Sequence, residues 1–201
     1  RNLFYTIDQP PVKLININTE IFYDDAVKPT YDNQMKFMIS ELRNTNRSLY
    51  PWLIVAGHRP MYCSNSDNDK CTHWRNNVVR LSLEDIFLKY NVTLYLSGHE
   101  HSYERTCPVY NGECQSKYWN MSTFDHSDLM YPIKIVNGNA GCTEGLDGCQ
   151  QVKPLWSIIR QIINGYGIVE TNYTDLIYTS YAVDEKNKYA IDRLHIQQVN
   201  S

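Results

Sequence analysis

The sequence predicts an α/β fold, a sheet flanked by helices, and three observations predict it. Residues 52–56 and 92–96 are largely apolar runs of strand length, the pattern of strands buried on both faces. The residues between them close on a helical pattern, so the segment has the size of one βαβ unit with parallel strands and a right-handed crossover. Beyond residue 130 the chain becomes β-rich, with candidate strands at 133–136, 167–171, 176–182 and 189–197.

The remaining elements follow in order. Residues 2–7 and 12–19 read as two strands separated by a turn at Gln9-Pro10-Pro11, and the second alternates as a strand with one wet face should. A helix is expected from Thr30, its N-cap, because Tyr31, Met35, Met38 and Leu42 fall on one face. A second helix carries Val79, Leu83, Ile86, Phe87 and Tyr90 on one side. Residues 59–75, 111–127 and 147–154 read as loops.

The chain has 201 residues, enough for one domain and too few for two ordinary ones, so residues 1–201 are read as part of a single domain. A net charge of −3 without a basic stripe argues against gripping a nucleic-acid backbone. No apolar run approaches the ~18 residues that cross a membrane as a helix. The six cysteines fall in three local pairs, Cys63 with Cys71, Cys107 with Cys114 and Cys142 with Cys149. None has the spacing of a zinc ribbon, and six allow 15 connectivities, of which local pairing is the simplest. Disulfides imply an oxidising compartment, and four Asn-x-Ser/Thr sites, at Asn46, Asn91, Asn120 and Asn172, point the same way. The expected location is therefore secreted or lysosomal, with any targeting signal upstream of Arg1.

The strongest chemical signal lies at two strand ends. Both central runs stop at Gly-His, Gly57-His58 and Gly98-His99, with His101 two residues further on. Ligands in open α/β sheets bind beyond the carboxyl ends of the strands. His58, His99 and His101 are thus expected at one edge, where three imidazoles suit a transition metal. Taken singly, each histidine is more often a hydrogen-bonded core or surface residue than a ligand; their joint placement carries the reading.

Two strings extend these strand ends: Val55-Ala-Gly-His58-Arg-Pro-Met-Tyr-Cys-Ser and Gly98-His-Glu-His101-Ser-Tyr-Glu-Arg105. They resemble the last two signature blocks, VxxH and GHxH, of purple acid phosphatases within the calcineurin-like metallophosphoesterases, most nearly the animal type 7 acid phosphatases. The resemblance runs nearly the length of the chain. It implies a metallophosphoesterase-type β-sandwich flanked by helices, of which this chain covers about the C-terminal half. It implies a dinuclear metal centre, iron plus zinc, manganese or a second iron, with His58 and His99 on the second metal and His101 on the first. It also implies that His73 orients the substrate phosphate and protonates the leaving oxygen, although Thr72 stands where plant members carry another histidine. Tyr103, Glu104 and Arg105 are expected to brace the metal loop, and His126 and His195 to be structural or exposed.

The family's earlier blocks, DxG, GDxxY and GNH[DE], do not occur here, and Asn137-Gly-Asn-Ala does not replace them. The implied activity, hydrolysis of phosphate monoesters at acidic pH, is therefore expected of the parent protein. The chain alone is expected to be inactive unless the missing N-terminal half or a companion chain completes the site, and its bare sheet edge should make it aggregate. Two other readings are a non-catalytic secreted glycoprotein that binds a protein partner, and a two-metal phosphodiesterase or nucleotide hydrolase.

Overall fold

The computed structural model describes residues 3–23, 28–66, 77–184 and 187–198. The parallel centre forms as the apolar runs predict. Strands β2 (Val12–Ile17), β3 (Trp52–Gly57), β4 (Leu94–Ser97) and β8 (Ile133–Asn137) lie side by side and parallel. Antiparallel strands extend both sides of this centre. β1 (Tyr5–Gln9) pairs β2 across the Pro10–Pro11 turn, and β5 (Tyr103–Tyr110) pairs β8, β6 (Glu113–Cys114) and β9 (Ser157–Gln161). A second, four-stranded sheet runs in the order β10 (Gly165–Thr171), β11 (Asp175–Val183), β12 (Lys188–Gln197), β7 (Thr123–Asp125).

Two apolar layers explain why the central runs are apolar throughout. Alternate side chains of a strand point to opposite faces. Leu53, Val55 and Tyr95 face helices α1 (Lys28–Asn44) and α2 (Val78–Lys89), packing with Met38, Leu42, Val79, Leu83 and Phe87. Trp52, Ile54, Leu94, Ile133 and Ile135 face the second sheet, packing with Leu176, Tyr178, Leu194 and Ile196. The order is helices, large sheet, small sheet, with the βαβ unit as expected.

Several boundaries differ from the expectation. α1 includes Lys28 and Pro29, so Thr30 lies inside its first turn rather than capping it; proline is tolerated there because the first-turn N–H groups have no helical acceptor. α2 is capped by Asn77, whose side chain accepts from Arg80 N at 3.1 Å. β5, β6, β7 and β9 are strands the pattern did not reveal, β6 and β7 within the segment read as one loop. β5 was hidden because it carries Glu104, Arg105 and Pro108 yet is buried over almost its whole length. Its charges are met by distant groups. Arg105 pairs with Asp192 through Nε (2.5 Å) and Nη2 (3.0 Å), while Glu104 accepts from Ser64 N, Ser64 Oγ and Ser157 Oγ at 2.5–2.7 Å. A further buried cluster lies between α2 and β8: Glu84 accepts from Arg80 (2.7 Å) and Tyr62 (2.5 Å), and lies 3.5 Å from Lys134. Complete burial lowers Lys134 to about 8, with Glu84 opposing.

The cysteines depart from three local pairs. Cys107 and Cys114 are bonded across the β5–β6 hairpin, and Cys63 is disulfide-bonded, while Cys71 lies outside the described residues. Cys142 and Cys149 are free thiols. Their expected pairing does not form. Residues 148–150 bridge to residues 64–66 through Ser66 N–Gly148 O and Gln150 N–Ser64 O, both 2.9 Å. Cys142 lies instead beside His101 and Glu144.

Candidate metal centre

His58 follows the last residue of β3, and His99 follows β4 by two residues. Because β3 and β4 are parallel neighbours, both histidines emerge at the same end of the sheet. The backbone joins there too, with Gly98 N donating to His58 O at 3.0 Å. Glycine is required in this corner. A Cβ on Gly57 would sit 2.7 Å from Thr19 Cγ2, and one on Gly138, just past β8, would sit 2.0 Å from Glu100 O. The turn at His99 runs through the left-handed region, at φ 67°.

The side chains converge. His99 Nδ1 lies 3.1 Å from His58 Nε2, and the rings meet edge-on with centroids 4.9 Å apart. On its other side, His99 Nε2 faces Arg59 Nη1 at 3.0 Å. Arg59 is held by Glu20 (Nε–Oε1 2.8 Å), by Thr19 Oγ1 accepting from its backbone N–H (2.8 Å), and by the face of Tyr23. A guanidinium can only donate, so His99 Nε2 accepts from Arg59 and Nδ1–H is donated to His58 Nε2. Burial, reinforced by His99 and then by Arg59 and His101, lowers the His58 pKa, with Glu20 opposing; the imidazole is thereby kept in the neutral form that metals bind.

His101 is anchored by its backbone, whose N–H donates to Asp147 Oδ2 at 2.5 Å while Asp147 N donates back to His101 O at 3.1 Å. Asp147 Oδ2 also lies 4.0 Å from His101 Nδ1. The donor atoms of His101, Cys142 and Glu144 fall within 4.8 Å of one another, so a cation there would meet nitrogen, sulfur and oxygen together. The His58–His99 pair suits a transition metal on geometry. Two nitrogen ligands of a four-coordinate zinc, each at about 2.0–2.1 Å, lie roughly 3.3 Å apart, close to the separation found.

Comparison with known proteins bears on the family rather than on these ligands. The family model described as calcineurin-like phosphoesterase matches residues 8–103, and that described as iron/zinc purple acid phosphatase-like protein C matches residues 131–193. The chain belongs to the purple acid phosphatase family. The acid phosphatase type 7 of Homo sapiens is 37% identical over 173 residues, covering 82% of this chain and 39% of its own length. That of Danio rerio is 33% identical over 213 residues, covering 96% and 46%. A purple acid phosphatase from seeds of yellow lupin, Lupinus luteus, shares the fold at a TM-score of 0.77 and 23% identity, over 97% of this chain and 32% of its own. The chain thus spans less than half the length of the curated relatives it matches.

Within this family fold, the three predicted histidines occupy one end of the large sheet, whereas His73 lies outside the described residues. Tyr103, Glu104 and Arg105 are buried, but their side chains are tied to Asp192 of β12, to Ser64 and to Ser157 rather than to the loop of His99 and His101: Tyr103 Oη donates to Asp192 at 2.6 Å beside Arg105. His126 and His195 stand apart from the cluster, bonded to Thr93 and Gln198 and to Asp175 respectively. Sequence reasoning missed Asp147, which anchors His101, and Thr19 and Glu20, which set Arg59. These partners come from segments about 40 residues away or more, and no local pattern marks them.

Proposed function

We propose that this chain is the C-terminal part of a secreted or lysosomal acid phosphatase that hydrolyses phosphate monoesters with a dinuclear metal centre. One observation carries the reading: in a purple acid phosphatase fold, His58 Nε2 and His99 Nδ1 face each other at 3.1 Å beyond two adjacent parallel strands. His58 and His99 would hold one metal and His101 the other, iron paired with zinc, manganese or iron. When bound, such a pair polarises the phosphoryl group and activates the attacking water. Arg59 sets the His99 ring through Nε2 and leaves Nδ1 for the metal, once the proton now shared with His58 has gone. Asp147 does the same for the His101 backbone. His73 would orient the phosphate and protonate the leaving oxygen, a role suited to an imidazole in mildly acidic solution. The remaining ligands would come from a preceding segment of a longer protein or from a companion chain. The asparagines of the four sequons are all exposed and open to glycosylation.

The test is metal analysis of the complete precursor, together with hydrolysis of a chromogenic phosphate monoester at about pH 5. About two metals per chain are expected, with both metal and activity lost in His99→Ala and His101→Ala. A preparation without stoichiometric metal or monoesterase activity would overturn the reading in favour of a binding protein on a relic site. Activity confined to diesters would move the assignment to the phosphodiesterases.

A further inference from the structure

A cavity opens at the end of β4 opposite His99. His99 follows the strand, whereas Thr93 directly precedes it and lines a cavity of about 450 Å³ together with Arg47, His126, Leu129, Met130 and Tyr131. Its polar groups are arranged as donors. Arg47 Nη2 donates to Pro51 O at 2.9 Å, but Nη1 is buried with no hydrogen-bond partner, and Arg47 makes no ion pair among the described residues. Asp125 accepts from Ser127 N and Oγ at 3.0 and 2.9 Å, through one carboxylate oxygen, and makes no ion pair among the described residues. Leaving a buried charged donor unmet is costly, so such a group ordinarily has a partner.

A second donor follows from the tautomer of His126. The Gln198 amide nitrogen donates to His126 Nδ1 at 3.2 Å, which places the ring proton on Nε2, 3.4 Å from Thr93 Oγ1. Thr93 Oγ1 also accepts from Leu53 N at 3.3 Å. With both lone pairs engaged, the buried Thr93 hydroxyl has its proton left to give. Among the described residues the cavity thus offers one guanidinium without an ion pair, one hydroxyl donor and an apolar wall. A single charge matches a monoanion better than a phosphate dianion, and the wall matches an organic body.

We propose that this cavity binds a small organic carboxylate, its oxygens accepting from Arg47 Nη1 and the Thr93 hydroxyl and its apolar part lying against Leu129 and Met130. The site is separate from the histidine cluster and independent of the phosphatase reading.

Benzoate is the probe, titrated into the purified protein while the His126 ring protons are followed by NMR, with inorganic phosphate as competitor. The expected result is a saturable shift of the His126 resonances that persists after metal chelation and that phosphate does not reverse. Arg47→Gln should weaken benzoate about tenfold or more, the loss of one charge-assisted hydrogen bond. Thr93→Val should weaken it less, and Thr93→Ser should keep it. Unfolding midpoints of each variant separate lost binding from lost folding, and Thr93→Val against Thr93→Ser decides the matter if Arg47→Gln does not fold. No saturable shift, or equal affinity in Arg47→Gln and in both Thr93 variants, would overturn the site, leaving Arg47 Nη1 to water. Displacement by phosphate at equal concentration would overturn the organic-carboxylate assignment.

Discussion

His126 packs edge-on against Trp52, with ring centroids 5.0 Å apart, between Thr93 and Gln198. Burial lowers its pKa from 6.5 to about 4, and Arg47 adds to the shift while Asp125 opposes it. Below about pH 6.5 the unfolded imidazole takes up a proton that the folded one refuses. Its contribution to stability is therefore whole above that pH, falls as pH drops towards 4, and is spent below both values. The shift corresponds to about 3 kcal/mol. Urea unfolding of the protein should show this loss between about pH 7 and pH 4, and His126→Gln should remove most of its slope. Equal slopes in the two proteins would mean that other groups govern the acid sensitivity. The histidines at the sheet end behave differently as residues, because each is legible only through its strand. Gly-His at two strand ends announced His58 and His99, but nothing in the local sequence announced Arg59 as the group that sets the His99 ring.

At the scale of elements, legibility followed the partner. β3 and β4 could be read because both of their faces meet apolar layers, so nearly every position is apolar. β5 could not, because its inward groups include Arg105 and Glu104, whose partners Asp192 and Ser64 lie 87 and 40 residues away. An apolar pattern records burial against hydrocarbon and is blind to burial against a paired charge. Spacing likewise did not reveal that Cys142 and Cys149 stay free, with Cys149 bridged to Asn65 and Cys142 beside His101. The Arg105–Asp192 pair also ties β5 in the large sheet to β12 in the small one, and both side chains are almost wholly buried. Removing one partner of such a pair leaves an uncompensated charge, at a cost of about 3–5 kcal/mol. Asp192→Ala should lose that much in denaturant unfolding, and an Arg105→Met, Asp192→Leu double variant should recover most of it. A single variant within about 0.5 kcal/mol of the parent, the range of ordinary surface changes, would mean that the pair does not hold the sheets together.

At the scale of the whole molecule, the described layers bury two apolar cores, yet the large sheet ends on β1, an edge strand whose outer backbone groups have no strand partner. β1 is exposed over nearly its full length and shows Tyr5 and Ile7 to solvent, Ile7 at 50%. Natural edges are normally blunted by charge, proline or a covering segment. At the turn end of the hairpin Lys13 pairs with Asp8 and, on the helix side, with Glu41, but Lys13 itself is buried and puts no charge on the outer edge. An unguarded edge of this kind invites pairing with a second copy, so the 201-residue chain should self-associate as its concentration rises, while the complete protein should do so less if additional chain covers this side. Sedimentation velocity over a concentration series distinguishes the cases. Ile7→Lys, which puts a charge on the exposed strand without touching either core, should shift the chain towards monomer. If the unmodified chain stays monomeric throughout, β1 is adequately guarded by its twist and by the Lys13–Asp8 pair. If Ile7→Lys leaves association unchanged, the sticky surface lies elsewhere, with the exposed β10–β12 sheet, carrying Ile168, Val183 and Tyr189, the next place to put the charge.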